Sequence, residues 1–494
     1  MNKKIISIIM SAMMGITLLS GCGSSSESSV PKSSNKLEHA DLKFVFYGDE
    51  SKRMKEFSEG PLKEKIEKEF NASIEVIYLP WSEVNGGKSE MMLASGEDFA
   101  TYTDANYISK CIAKGYAADL TDVAKKYAPD LYKNVNPGAF EAFSFQDKLY
   151  ALPVGKKPDS GGWYTITIRQ DLVEEAGFKE VKTWEDVYKI YEIEKKKHPE
   201  LIGTADTSTR SYAQSLYTTE NIEYVGGSSA YTDANSKDDK IYDFYLSPNF
   251  KKLCNITRGW KESGFSAPYV LSNPSQAETD WFAGKILLRA GNNGMPIEHI
   301  DNLKKSVSNA KLASYYINSN PKINYQVWNT AYIISANAKD PARYAMVINS
   351  MQQNQENYDF YAYGEKGKDY NIDSNGRVEK LTNDGFLDEW MLRNSKFIRF
   401  DKNVSDEFIT KFKAWDNGSI NAKGLGFTLN LDPIKSEAAK MDAVVAEKLS
   451  PIEKGFVEYD ANIESALKAY KAAGAEKYLT ELQKQFSAFR ADKK

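Results

Sequence analysis

The chain has 494 residues, of which 41% are hydrophobic and 12% aromatic. That is more chain than one hydrophobic core usually serves, so two or more lobes are expected. Charged residues make up 27% of the chain, but the formal net charge is only -4. The charge balance therefore argues against nucleic acid as a partner. The chain also has no acidic tail of the kind that would indicate a polycationic partner.

The N-terminus has the pattern of a secretory signal. A basic start is followed by an apolar run over residues 5–19, which is shorter than the ~20 residues of a membrane-spanning helix. Leu-Ser-Gly-Cys at residues 19–22 resembles the lipobox of bacterial lipoproteins, in which the cysteine receives a diacylglycerol. The alternative is an ordinary signal with an incidental cysteine. We predict a signal peptide at 1–21 and lipidation of Cys22.

Residues 22–39 are rich in serine and show no apolar period, so they predict a flexible tether that holds the folded part off the bilayer. Two acyl chains on one cysteine anchor a protein stably. We therefore expect a lipid-anchored protein on the extracellular face of the cell membrane.

Strand and helix patterns alternate after the tether. Residues 42–47 predict a strand, 52–70 an amphipathic helix and 74–79 a second strand. A strand, a helix and a strand in this order imply a parallel sheet. Segments of both kinds follow at 87–95, 99–103, 106–113 and 120–127. The predicted fold class is α/β.

Residues 148–154 and 163–168 predict two extended segments, and the Gly-, Lys- and Pro-rich stretch between them predicts a crossing between domains. Elements of both kinds are predicted further along: helices at 169–177 and from an N-cap at Thr183, strands from 282 to 291 and at 330–335, and helices at 341–351, 434–449, 463–473 and 479–489.

Ten short motifs follow one another over most of the chain, and their order is what matters. They are Met92–Glu97, Leu120–Val123, Lys126–Asp130, Leu149–Pro153, Arg169–Gly177, Thr183–Asp186, Phe282–Lys285, Tyr363–Tyr370, Ala473–Gly474 and Glu481–Gln485. Together they resemble the extracellular solute-binding proteins (family 1) of carbohydrate ABC importers, which are maltose-binding-protein-like. The closer resemblance is to the lipoprotein branch common in Gram-positive bacteria. The chain departs from the pattern at Glu97-Asp98, where "pD" is usual, and at Asp369, where the family has histidine.

The resemblance implies a two-lobed periplasmic-binding-protein-like fold of type II. Each lobe would be a mixed, mostly parallel sheet flanked by helices, with the ligand cleft between the lobes. Residues 40–158 with 331–400 would form lobe 1, and 159–330 with 401–494 would form lobe 2. The resemblance also implies a monomer that captures a sugar or oligosaccharide by hinge closure and delivers it to the permease subunits of an ABC transporter, with no enzyme activity and no cofactor.

A sugar site needs aromatic faces for the apolar side of the ring and polar side chains for its hydroxyls. In open α/β sheets such residues lie in loops at the carboxyl ends of strands. The candidate ligand-binding residues chosen on these grounds are Asp49, Trp81, Glu83, Asp104, Trp163, Tyr164, Arg210, Tyr212, Trp281, Asn292, Asn293, Trp328, Asn329 and Tyr363. The alternatives are solvated loop charges for the acids, core packing for the aromatics and a structural turn for Tyr363.

The histidines and cysteines give no sign of a metal or catalytic site. His39, His198 and His299 are scattered without metal-ligand spacing, so no metal site is expected. Cys111 and Cys254 are far apart in sequence, which leaves a disulfide between them open.

Three other functions remain open at this stage. A surface glycoside hydrolase would need two carboxylates across a cleft, which sequence cannot place. The same fold could bind a peptide or another small solute. It could also report its ligand to a membrane sensor kinase.

Overall fold

The computed structural model describes residues 37–80, 83, 87–103, 105–135, 137–155, 160–206, 212, 221–227, 229–318, 320–324, 330–382, 387, 389–392 and 394–492. The predicted signal peptide, Cys22 and most of the tether lie outside these residues. Among the helices of the described residues, none has the length and apolarity needed to cross a membrane.

The strands of the described residues are β1 (Ala40–Tyr47), β2 (Ala72–Leu79), β3 (Ala100–Thr103), β4 (Ser144–Phe145), β5 (Lys148–Leu149), β6 (Leu152–Gly155), β7 (Thr165–Arg169), β8 (Ile222–Tyr224), β9 (Ala230–Asp233), β10 (Tyr242–Asp243), β11 (Leu288–Gly291), β12 (Leu312–Tyr315), β13 (Ile323–Asn324), β14 (Thr330–Ile334), β15 (Tyr370–Ile372), β16 (Val378–Lys380) and β17 (Ile420–Asn421).

The α-helices are α1 (Lys52–Phe57), α2 (Lys63–Phe70), α3 (Gly87–Ala94), α4 (Ala105–Ala113), α5 (Thr121–Tyr127), α6 (Pro129–Asn134), α7 (Pro137–Ala142), α8 (Gln170–Glu175), α9 (Trp184–Lys197), α10 (Pro248–Ser263), α11 (Gln276–Phe282), α12 (Met295–Lys304), α13 (Pro341–Met351), α14 (Gln355–Tyr363), α15 (Glu389–Leu392), α16 (Asp406–Lys413), α17 (Lys435–Val444), α18 (Ser450–Glu453), α19 (Tyr459–Ala472) and α20 (Ala475–Asp492). Short 3-10 turns lie at Gly162–Tyr164 and Asp432–Ile434, and π turns at Ser58–Leu62 and Val445–Leu449.

The first sheet has the strand order β2-β1-β3-β14-β6. β1 pairs in parallel with β2 and β3, whereas β14 runs antiparallel to both β3 and β6. The predicted strands at 42–47 and 74–79 are confirmed as β1 and β2. The predicted helix at 52–70 is confirmed as α1 and α2, which are joined through a π turn that contains Pro61.

The second sheet has the order β11-β7-β12, with β7 antiparallel to both neighbours. Backbone hydrogen bonds extend it on the β11 side, since Leu287 N donates to Ile202 O and Ala267 N donates to Thr204 O. The added segments pair in parallel with their neighbours. Each of these two sheets therefore has one antiparallel strand among parallel ones, and the predicted mixed, mostly parallel α/β fold is confirmed. A smaller antiparallel sheet has the order β10-β9-β8, and β4-β5 and β15-β16 form antiparallel pairs.

The buried hydrophobic residues form separate clusters around the two sheets. One cluster draws on residues 42–154 and 331–397, and it contains Phe44, Phe46 and Ile333 with at most 1% of their surface exposed. Further clusters draw on residues 166–317 and 429–486. Burial of these apolar surfaces is the main favourable contribution to folding.

The two remaining cysteines belong to different clusters. Cys111 lies in the cluster of the first sheet and Cys254 in a cluster that contains the C-terminal helices. Both are buried free thiols, so they do not form a disulfide in this structure.

Three chain segments are bonded to one another outside the two main sheets. Gly161 N donates to Ile323 O at 2.8 Å, and Trp415 Nε1 donates to Ser160 O at 2.7 Å. β13 pairs in parallel with β17, and Ile420 N donates to Lys322 O at 2.9 Å. These bonds connect the segments around residues 160, 323 and 420. We call this cluster the hinge base, after the hinge motion that the family resemblance implies.

Candidate ligand-binding site

One edge of each of the two main sheets collects the ends of several strands. In the first sheet, whose edge we call the lobe 1 edge, these are the carboxyl ends of β1, β2, β3 and β6, together with the amino end of the antiparallel strand β14. In the second sheet, whose edge we call the lobe 2 edge, they are the carboxyl ends of β11 and β12 and the amino end of β7. Because ligands of open α/β sheets bind at such edges, the candidate site is placed there.

Two predicted residues lie at the lobe 1 edge. Asp49 is exposed and follows the end of β1, where Gly48 N donates to Leu79 O at 2.9 Å. The Glu83 carboxylate accepts from Lys88 N, and its carbonyl accepts from Ser89 Oγ at 2.9 Å. Glu83 therefore accepts from one backbone amide and one hydroxyl in the first turn of α3, and Asp49 remains available to a ligand. The predicted residues Trp81 and Asp104 lie outside the described residues.

Asn292 and Asn293 follow β11 at the lobe 2 edge, and their side chains have different surroundings. Asn292 Oδ1 accepts from Gly294 N at 2.9 Å and from Met295 N at 3.2 Å, so it caps the start of α12. Only 3% of Asn293 is exposed, and neither Oδ1 nor Nδ2 has a hydrogen-bond partner among the described residues. Unpaired buried amides are rare because each costs desolvation energy. Asn293 is therefore a group that a ligand could pair.

Three further polar side chains near these strand ends have unpaired atoms, and none of them was predicted from the sequence. Ser160 and Thr165 are fully buried, and their hydroxyl oxygens have no hydrogen-bond partner in the described part of the chain. Nδ2 of Asn318, just after β12, is also unpaired there. Thr165 lies opposite Gly291 in the sheet, two residues before Asn293. A Ser or Thr in an apolar strand or a turn carries no signal of its own, so the strand register was needed to identify Thr165.

Two aromatic candidates lie inside lobe 2. Tyr212 is 1% exposed, and its ring lies 5.2 Å from that of Trp184 and 5.6 Å from that of Trp260. Burial raises the pKa of Tyr212 well above its ordinary value. Trp281 is fully buried, and its Nε1 donates to His299 Nδ1 at 2.9 Å. In this conformation both rings pack within the lobe rather than at its surface.

The remaining lobe 2 candidates are only partly described. Tyr164 packs beside Ile323 and Ala422 at the hinge base. Trp163 lies in the 3-10 turn before β7, but its side chain is outside the description. Arg210, Trp328 and Asn329 lie outside the described residues.

Tyr363 lies at the end of α14 and is buried. Its hydroxyl donates to Arg399 O at 3.3 Å and accepts from Arg399 N at 3.2 Å, while its ring packs 5.6 Å from that of Tyr370. This turn also holds Asp369, the departure from the family pattern, which is paired with Arg53 of α1. These contacts are structural ones.

The Arg53 ion pair fastens α1, which follows the Asp49 loop, to the turn after α14. Arg53 donates from Nε and Nη2 to the two oxygens of Asp369, both at 2.6 Å, and also from Nη2 to Glu365 at 2.5 Å. Burial alone would raise the pKa of Asp369, but the hydrogen bonds from Arg53 and from Glu365 N lower it. Both side chains therefore stay ionised, and the pair fixes the position of α1, the helix that follows the Asp49 loop.

A lysine lies between aromatic rings at the hinge base. Nζ of Lys322 is 4.9 Å from the ring centre of Trp415 and 5.9 Å from that of Tyr316. Burial lowers the pKa of Lys322, while Asp416 acts in the opposite direction. Cation–π contacts of this kind rigidify a partly buried cluster.

The described site offers neutral hydrogen-bonding groups. These are the amides of Asn293 and Asn318, the hydroxyl of Thr165 at the lobe 2 edge and that of Ser160 in the turn before β7, while Asp49 adds an exposed carboxylate at the lobe 1 edge. Amides and hydroxyls both donate and accept, which suits a neutral ligand with many hydroxyl groups.

Two family models match the chain. The model of the bacterial extracellular solute-binding protein family matches residues 54–348, which is more than half of the chain. A model for a domain of unknown function (DUF3502) matches residues 423–491, a range that contains α17, α18 and α19 and nearly all of α20.

Similar proteins include a carbohydrate ABC transporter substrate-binding protein of Streptococcus pneumoniae serotype 4, which is 26% identical over 445 residues and covers 87% of both chains. Among solved structures, the N-glycan transport solute-binding protein NgtS of S. pneumoniae in complex with Man1GlcNAc superposes with a TM-score of 0.75. It is 24% identical and covers 92% of this chain and 100% of that one.

The substrate-binding protein Lmo0181 of Listeria monocytogenes in complex with cycloalternan is more distant, with a TM-score of 0.57 and 16% identity over 89% of this chain and 99% of that one. Such likenesses show a common two-lobed fold. Together with the family match over residues 54–348, they lead to one conclusion. The chain belongs to the bacterial extracellular solute-binding protein family.

Proposed function

We propose that this protein is a lipid-anchored substrate-binding protein that captures a sugar or oligosaccharide between its lobes and delivers it to the permease of an ABC importer. The observation that carries the proposal is the buried, unpaired amide of Asn293 at the lobe 2 edge. A sugar hydroxyl can accept from Nδ2 and donate to Oδ1 of the same side chain.

The chemistry of the surrounding residues supports a hydroxylated ligand. Ser160 and Thr165 add unpaired buried hydroxyls to the amide of Asn293, and none of these three side chains carries a charge. A charged peptide terminus or a metal chelate would be better matched by a fixed opposite charge. The aromatic face that a sugar ring requires would come from Trp163 and Trp328 at the two connections between the lobes.

The relatives support the same ligand class. The curated relative is a carbohydrate ABC transporter substrate-binding protein, and the structures of NgtS and Lmo0181 contain glycans. The lipobox at residues 19–22 supports an anchor at Cys22, which keeps the protein close to a permease. We infer a monomer with the lobe boundaries given above, which follow the division of the hydrophobic clusters.

The proposal is tested by thermal-shift and calorimetric titration of the purified protein with a glycan panel, including Man1GlcNAc, Man5GlcNAc and cycloalternan, with peptides as the comparison class. One glycan class should raise the melting temperature, since a ligand that binds only the folded state stabilises it. Melting that responds to peptides and to no glycan would refute the carbohydrate assignment. New reducing ends in the incubated glycans would refute the assignment as a binding protein.

A further inference from the structure

A cluster of three metal-ligand side chains lies far from the candidate ligand-binding site. Glu175 ends α8, Glu194 lies in the last turn of α9, and His198 follows that helix directly. One ligand atom of each lies within 4.8 Å of the others. α8 begins where β7 ends, which is the edge of the lobe 2 sheet opposite Asn293.

The spacing on α9 explains how two of these ligands meet. Glu194 and His198 are four residues apart, so they lie on the same face of the helix, one turn from each other. The third ligand comes from a different helix, through the packing of α8 against α9. For this reason a search of the sequence for histidine spacing does not find the cluster.

The central carboxylate has an oxygen without a hydrogen-bond donor. The Glu194 side chain is fully buried, and its Oε2 has no hydrogen-bond partner among the described residues; the same holds for Nε2 of His198. These two atoms face each other at 3.7 Å. A buried carboxylate oxygen without a donor costs desolvation free energy. A cation bound between the two atoms would offset that cost.

The distance distinguishes a hydrogen bond from a shared metal ion. A separation of 3.7 Å is too long for an N–H···O hydrogen bond. Two ligand atoms about 2.1 Å from a tetrahedral metal lie roughly 3.4 Å apart, which is close to the separation found here. Nδ1 of His198 lies 4.0 Å from Oε1 of Glu200, so a carboxylate is near the second ring nitrogen without a hydrogen bond to it.

A lysine already neutralises part of this cluster. Nζ of Lys197 contacts Oε1 of Glu194 at 2.8 Å and Oε1 of Glu175 at 3.2 Å. It does not contact Oε2 of Glu194, the oxygen that faces His198. The lysine and a metal ion would therefore share the carboxylates through different oxygens, and the positive charge of the lysine would weaken metal binding.

We propose that Glu175, Glu194 and His198 bind a divalent transition metal of the Zn²⁺ type, which links α8 to α9. Imidazole with carboxylates suits Zn²⁺ better than Ca²⁺ or Mg²⁺, which prefer oxygen ligands alone. Three protein ligands leave one tetrahedral position for water. The site lies opposite the candidate ligand-binding site, so its role is to stabilise lobe 2.

The test is calorimetric titration of the EDTA-treated protein with Zn²⁺, with Ca²⁺ as comparison. We expect one Zn²⁺ per chain, and a dissociation constant at least tenfold higher in Glu194→Gln and in His198→Gln. Glu175→Gln changes an exposed residue and keeps the test valid if the buried Glu194 variant does not fold. His39→Gln, which alters a histidine at the start of the folded part, is the matched control and should bind as the parent does.

Lys197→Met supplies an independent readout, because it removes a competing charge and no ligand. It should bind Zn²⁺ more tightly than the parent. Zn²⁺ affinity that is the same in the parent and in all three ligand variants, no binding at all, or tighter binding of Ca²⁺ would overturn the proposal. None of these outcomes depends on whether the protein binds a glycan.

Discussion

Replacing Asn293 by alanine should separate binding from stability. The side chain is buried and its amide is unpaired among the described residues. Such groups cost ~1–3 kcal/mol of desolvation, a penalty that disappears when the amide is removed. The loss of packing around three atoms acts in the opposite direction. The free energy of unfolding of Asn293→Ala should therefore stay within about 1 kcal/mol of the parent value or rise above it.

The same substitution should weaken ligand binding strongly. A bound sugar hydroxyl would use both the oxygen and the nitrogen of the amide, and each neutral hydrogen bond contributes ~0.5–1.5 kcal/mol. Loss of two such bonds costs ~1–3 kcal/mol, which corresponds to a dissociation constant roughly 5- to 150-fold higher.

The neighbouring residue is the contrasting variant. Asn292 caps α12 by accepting from Gly294 N and Met295 N, so Asn292→Ala should lower the free energy of unfolding by ~1 kcal/mol. Exposed Asn302, on the same helix, is the matched control, since its oxygen accepts only from Lys305 Nζ. Urea denaturation measures stability, and calorimetric titration with the glycan found by screening measures affinity.

The interpretation of Asn293 is contradicted if Asn293→Ala lowers both stability and affinity, or if it changes neither. A variant that loses 2 kcal/mol or more of stability would mean that the amide is paired in the folded protein. Unchanged affinity together with unchanged stability would mean that the ligand does not reach the lobe 2 edge at this residue.

Three further outcomes are expected. Arg53→Met leaves the buried Asp369 carboxylate without its cation, so urea denaturation should show a loss of ~3–5 kcal/mol, part of which Asp369→Leu in the same chain should restore. Burial raises the pKa of Glu223 from 4.5 to about 7, so the folded state binds its proton more tightly than the unfolded state does; stability should fall as pH rises from about 4.5 to about 7. Melting curves measured across this pH range should show a smaller fall in stability in Glu223→Gln than in the parent. An identical pH dependence of stability in the two proteins would contradict this prediction. Cys22→Ser should release the protein into the medium or leave it unprocessed, and unaltered membrane retention in cell fractionation would contradict the predicted lipid anchor.

Most secondary-structure elements could be predicted from periodicity and caps. Thr183 is the N-cap of α9, as predicted, and the structure adds a capping box: Thr183 accepts from Asp186 N, and Asp186 in turn accepts from Thr183 N. Gly177, with a φ of +88°, ends the segment that contains α8. Finer divisions were not predictable: residues 163–168 begin as a 3-10 turn, and only Thr165 onward forms a strand.

The candidate site was harder to predict because it depends on which strand ends lie side by side. The choice of residues after strands stays a prediction, and loop position did not distinguish the cap formed by Asn292 from the unpaired amide of Asn293. Aromatic residues were chosen for their chemistry. Tyr212 and Trp281 have the same chemistry that packs a core, so sequence could not assign their burial. Thr165 could be identified only from the strand register, and Ser160 only from its burial without a partner.

The antiparallel strand of each sheet connects the hinge to the ligand edge. β7 and β14 are the strands entered directly from the other lobe, and each begins at the candidate site. Under the proposed function, a rotation about the crossing segments would move the Asn293 edge relative to the Asp49 edge. A ligand would favour such closure only through a contact that it makes better in the closed state. Shifting an equilibrium from 1:99 to 99:1 needs ~5.5 kcal/mol, more than the ~1–3 kcal/mol available from one amide. We therefore predict that closure draws on both edges at once, with the Asp49 loop adding to Asn293.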